Sequence, residues 1–179
     1  MSGEAASRTN IKLPGQQSEL IRLIREKFPE KEMILVLMNG RPLDLSEEAS
    51  IFDSILEVWY PGTSGGLGVA DVLFGKYNPS GKLPVTFPRN IGQVPLYYNM
   101  KNTGRPISKN NPKEDYKSNY IDSPNTPLYA FGHGLSYTKF DYSEIILSDL
   151  KIGPLDVLEA SVFIKNTGKL DGHEIVQLY

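Results

Sequence analysis

The chain has 179 residues, a formal net charge of −2, 40% hydrophobic and 22% charged residues, and no cysteine. This balance is globular, exerts no general pull on nucleic acid or anionic membranes, and excludes disulfides and thiolate metal sites. No apolar run approaches the ~18 residues of a membrane span, and no basic region followed by an apolar core marks a signal peptide.

In residues 16–28, Gln17, Leu20, Ile21, Ile24 and Phe28 recur at helical spacing, with Glu19, Arg22, Arg25 and Glu26 mostly on the other side. Pro29 ends this helix. Met33–Met38 is a continuous apolar run, predicted as a strand buried on both faces. Asn39-Gly40-Arg41-Pro42 turns the chain at the strand's C-terminal end. Residues 47–54 predict a short helix, and Ile55–Tyr60 a second buried strand. Thr63 or Ser64 can cap a helix through Phe74, with Gly75 just past its end. Lys82–Phe87 predicts an edge strand, because Pro84 has no N–H for a ladder. Alternating strands and helices make the first half part of an open α/β sheet, with too few elements for a self-sufficient core.

Residues 89–127 change character: Asn, Pro, Lys, Ser and Tyr dominate, and no period is sustained. The segment reads as a long ordered loop or linker carrying Tyr97, Tyr98, Tyr116 and Tyr120. From Phe140 the period becomes two: Leu158, Ala160, Val162 and Ile164 alternate with Glu159, Ser161, Phe163 and Lys165, and Asn166-Thr167-Gly168 turns the chain. His173–Tyr179 predicts a last strand. A β-sandwich needs ~7 strands, so this half is expected to be the start of a larger, truncated one.

Several residues invite chemistry and have a plainer reading beside it. Gly62, Gly65, Gly66 and Gly68 fit neither the dinucleotide nor the P-loop pattern, and tight turning with close helix–sheet packing is the better account. His133 lies between two glycines, and with His173 as the only other histidine it makes no metal cluster or triad; a packing role is preferred. Asp44, Asp53 and Asp71 read as turn or helix-surface residues. Arg41 sits at a strand's C-terminal end, where α/β sites form, and it can equally anchor its loop to carbonyls. Trp59 reads as core, whereas Tyr97 and Tyr98 can either pack or stack on a sugar ring.

Longer stretches carry a resemblance. Ser2-Gly3-Glu4-Ala5-Ala6-Ser7-Arg8, Leu13-Pro14-Gly15, the run from Val36 to Leu43, Trp59–Arg89, the segments around Gln93–Asn99 and Lys101–Pro106, and Leu128–Thr138 occur in order along nearly the whole chain. In these it resembles the C-terminal portion of glycoside hydrolase family 3, the β-glucosidase and β-xylosidase family, and its bacterial periplasmic branch above all. That family's architecture is a (β/α)8 barrel, an (α/β)6 sandwich and often a fibronectin type III-like domain. The resemblance implies that residues 1–88 are the end of the α/β sandwich, 89–127 a connector, and 128–179 the truncated start of the third domain. It implies a retaining exo-β-glycosidase acting on a β-glucoside or oligosaccharide, in the periplasm or secreted, with no cofactor.

Retaining hydrolysis needs a nucleophilic carboxylate and an acid/base carboxyl about 5–5.5 Å apart. By resemblance Glu4 is the acid/base, although read alone it is an exposed glutamate near a terminus. The nucleophile would be an aspartate of the barrel, which these 179 residues do not contain, so the isolated chain is expected to be inactive. Arg8 could orient Glu4 or form a surface ion pair, and Arg8, Arg41, Tyr97 and Tyr98 are candidate substrate contacts. Two other readings stand beside this one. The first is a relative acting on N-acetylglucosaminides, and the second a carbohydrate-binding or structural accessory region without catalysis.

Overall fold

The structure, a computed structural model, describes residues 4–107 and 115–179. The chain divides into two compact units: Met1–Val69 with Leu83–His133, and Ala70–Lys82 with Gly134–Tyr179.

In the first unit, α1 (Gln17–Lys27) forms where the helical spacing predicts it, and Phe28 closes it by donating its N–H to the Ile24 carbonyl. β1 (Ile34–Leu37), α2 (Glu48–Ile51) and β2 (Ser54–Glu57) follow. The two strands pair in parallel, with Ile34 opposite Ser54 and Leu37 opposite Glu57. The expectation that β1 is buried on both faces does not hold. Among the described residues β1 has a single neighbouring strand, and only Leu37 is buried while Ile34 is exposed. Burial gathers instead at the C-terminal edge of this pair, where Leu37, Leu43, Leu45 and Phe87 form the core, backed by Leu13, Leu35, Ile55, Trp59, Leu83, Leu128 and Tyr129. α3 (Gly65–Leu73) begins next to Pro61, so close that a Cβ on Gly65 would meet the proline ring at 2.6 Å. A glycine is therefore required at that turn.

The predicted strand Lys82–Phe87 is not one. Leu83 donates to the His133 carbonyl and accepts from the Gly132 N–H, and Phe87 bonds both ways with residues 128–129, but only Phe87 and Tyr129 form a bridge. Pro84 lies between the two contact points and has no N–H to continue the ladder. Beyond it, a short 3₁₀ turn (Ile91–Gln93) is capped by Asn90. The buried Gln93 side chain accepts the Arg89 N–H and donates to the Pro124 and Thr126 carbonyls, which gives the loop an internal anchor.

The second unit holds two antiparallel pairs, β3 (Phe140–Tyr142) with β6 (Ile164–Asn166) and β4 (Ile146–Leu147) with β5 (Ala160–Ser161). The predicted strand over Leu158–Lys165 breaks in two because it changes partner. At the break, the Ser143 hydroxyl takes the Phe163 N–H while the Ser143 N–H reaches the Phe163 carbonyl. Among the described residues His173–Tyr179, predicted as a strand, forms no ladder, since alternation supplies faces but not a neighbouring chain.

Candidate active site

Glu4 and Ala5 form an exposed turn at the start of the described residues. The Ser2–Gly3 beginning of its motif lies outside them. Ala5 holds φ 54, the left-handed region that an L-residue enters at a cost of about 1–2 kcal/mol. Arg8 follows, also exposed.

The next residues are fastened to the loop after β1. Arg41 donates from Nη2 to the Asn10 carbonyl at 3.0 Å, and the Asp44 N–H donates to the Ile11 carbonyl at 3.0 Å. Asn10 turns its own side chain onto the Lys12 N–H at 2.9 Å, and the Lys12 ammonium lies 4.0 Å from the buried Asp44 carboxylate. Leu13 then packs against the core. Of the residues singled out in the sequence, the structure thus brings Arg41 against the segment that carries Glu4 and Arg8. Asp44 acts there as well, as more than a turn residue.

The loop after β1 is held in turn from the strand ends. Asn39 donates from Nδ2 to the Arg41 carbonyl. Glu57, the last residue of β2, accepts the Trp59 N–H on Oε1 at 2.8 Å. Its Oε2 and the Asn39 Oδ1 are both buried without a hydrogen-bond partner. Burial pushes the Glu57 carboxyl up to about 7, against the lowering pull of the Trp59 N–H and the Asn39 amide. Neither Asn39 nor Glu57 stands out in the sequence as functional. The available signal was a lone glutamate inside the apolar run Ile55–Tyr60, two residues before Trp59, which is itself held at φ 49.

Aromatic rings pack around the core residue Phe87. Trp59 and Phe87 lie 5.9 Å apart, Phe87 and Tyr129 6.4 Å, and Tyr129 stacks on His133 at 5.2 Å. Trp59 is thereby a core residue, and the His133 ring is used in packing. Tyr97 and Tyr98 are each 61% exposed, and the Tyr98 ring stacks on Phe131 at 4.6 Å. Among the described residues no group of three or more carboxylate or histidine side chains could hold a metal.

Residues 1–137 match the description of the glycosyl hydrolase family 3 C-terminal domain. The chain belongs to glycoside hydrolase family 3. Membership in family 3 extends past the matched residues: a periplasmic beta-glucosidase from Salmonella typhimurium is 51% identical over all 179 residues, which is 23% of that protein. A beta-xylosidase from Formosa agariphila is 42% identical over 99% of the chain and 23% of its own length. The crystal structure of a beta-glucosidase from Listeria innocua in complex with glucose superposes with a TM-score of 0.82 at 42% identity, covering 95% of this chain and 23% of that one. The chain thus spans about a quarter of the family 3 relatives it matches.

Proposed function

We propose that this chain is the part of a retaining exo-β-glycosidase that supplies the acid/base, Glu4. The observation carrying the proposal is the exposed Glu4 turn at the head of a segment tied down at the C-terminal edge of a parallel strand pair, where open α/β sheets place their sites. Glu4 protonates the glycosidic oxygen as the bond breaks, then removes a proton from the water that releases the sugar. The nucleophile is an aspartate on a (β/α)8 barrel supplied by the same polypeptide, and the 179 residues alone are inactive. In this reading residues 1–88 close an (α/β)6 sandwich, 89–127 connect, and 128–179 begin a fibronectin type III-like domain. Arg8, Tyr97 and Tyr98 contact a β-glucoside or oligosaccharide, no cofactor takes part, and the enzyme works in the periplasm or outside the cell. Identity with the Salmonella beta-glucosidase supports the glucoside over other substrates.

The test has two arms. The 179-residue chain is expected to leave an aryl β-glucoside untouched, and turnover abolished by Glu4→Gln would overturn the reading. Placed in the Salmonella enzyme in place of the matching stretch, the chain is expected to sustain hydrolysis. There Glu4→Ala should lower kcat/KM by about 10²-fold or more for glucosides with poor leaving groups and leave it nearly unchanged for a dinitrophenyl glucoside, whose dinitrophenolate departs without protonation.

A further inference from the structure

Ala5 holds a left-handed φ of 54 directly beside Glu4. Such a conformation persists in an alanine only where the surroundings over-determine it. Ala6 takes part in a backbone bridge, and further along the segment is tied at the Asn10 and Ile11 carbonyls, both ties coming from the loop after β1. Arg41 contributes the longer-range one. Its guanidinium reaches back 31 residues to a single backbone carbonyl, and among the described residues no carboxylate pairs with it. The Arg41 carbonyl is itself held by the Asn39 amide, which is packed against the Glu57 carboxyl at the end of β2. A run of contacts therefore leads from the rigid parallel pair through Asn39 and Arg41 to Asn10, six residues from the candidate acid/base.

We infer that Arg41 is a positioning residue for the Glu4 carboxyl, acting through the Asn10 carbonyl, with Asn39 setting the direction of the Arg41 loop. The inference rests on the reading of Glu4 as acid/base. It differs from a substrate-contact role for Arg41 because the guanidinium is spent on the backbone of the Glu4 segment. General acid help is sensitive to placement, and a shift of about 1 Å can cost ~10²-fold in rate. Losing the strut should therefore weaken proton donation while leaving sugar binding and nucleophilic attack intact.

The experiment uses the Salmonella enzyme carrying this chain, with Glu4→Ala as reference. If Glu4→Ala shows no dependence on leaving group, the acid/base reading fails by itself, before Arg41 is considered. With that reference in place, Arg41→Met is expected to lower kcat/KM about 10-fold for an alkyl β-glucoside and less than about 2-fold for the dinitrophenyl glucoside. Azide, which replaces the base-assisted water, should raise the dinitrophenyl kcat of both variants. Arg41→Lys, which keeps one donor and is the gentler change for folding, should fall between wild type and Arg41→Met on the same scale. An equal loss on both substrates, a rise in KM alone, or no loss in either variant would overturn the inference.

Discussion

Glu57 ends β2 with one carboxyl oxygen on the Trp59 N–H and the other buried without a partner. Its folded-state value of about 7 lies above the ordinary 4.5, so the folded chain holds this proton more tightly than the unfolded chain does. The stabilisation is complete below about 4.5 and is lost as pH rises through about 7. Asp53 shifts the opposite way, lowered first by the Met33 N–H and then by Arg25, so its contribution is fully present above pH 3.8, is lost only below it, and does not change across this window. Thermal melting is therefore expected to weaken between pH 5 and 8, and Glu57→Gln, which cannot ionise, to flatten the curve there. A variant whose Tm falls as steeply as the wild type's over that range would rule Glu57 out as the cause. None of this was legible at residue 57 alone, because the burial comes from distant parts of the chain packing over the strand edge. The proposal of Glu4, by contrast, came from the contiguous residues around it.

At the scale of elements, helix spacing located α1, and the apolar runs located β1 and β2, to within a few residues. How they are joined was not visible. Arg25, near the end of α1, donates to the Pro29 and Lys31 carbonyls at 3.1 and 2.8 Å, to the Ile51 carbonyl, and to Asp53 at 3.1 Å. Asp53 in turn accepts the Met33 N–H at 2.7 Å. One side chain thus ties the end of α1 to the entrances of both strands. Arg22 also faces an acid, Glu47, but as an isolated surface pair with its side chain 57% exposed against 25% for Arg25. Chemical denaturation should show Arg25→Met costing about 2 kcal/mol, because several carbonyls lose a charged donor, and Arg22→Ala costing less than about 0.5 kcal/mol. Equal costs would contradict this ranking. The failed strands teach the same lesson from the other side: Lys82–Phe87 and Leu158–Lys165 have strand-like patterns, yet a ladder also needs N–H groups and one constant neighbour.

Across the whole molecule, contacts distant in sequence decide what is held. In the second unit Asn78 accepts the Ser136 hydroxyl at 2.9 Å and the Tyr137 N–H at 2.8 Å, and donates to the Asp171 carbonyl at 2.9 Å. Nearby, the buried Thr138 donates its hydroxyl to Asn166 at 2.7 Å. Asn78→Ala removes three bonds at once and should destabilise this unit by about 2–3 kcal/mol, read as faster amide exchange over residues 134–179; unchanged exchange there would refute the role. By itself the sequence determined the family and the α1, β1 and β2 elements, and it put Glu4 forward as a candidate, because periodicity and motifs are written in neighbouring residues. Only the tertiary structure decided that Arg41 braces the Glu4 segment, that Glu57 is buried with an unpartnered oxygen, and that Asn78 gathers its unit. Those roles depend on which atoms the folded chain brings within hydrogen-bond distance across tens of residues, and no local pattern encodes that.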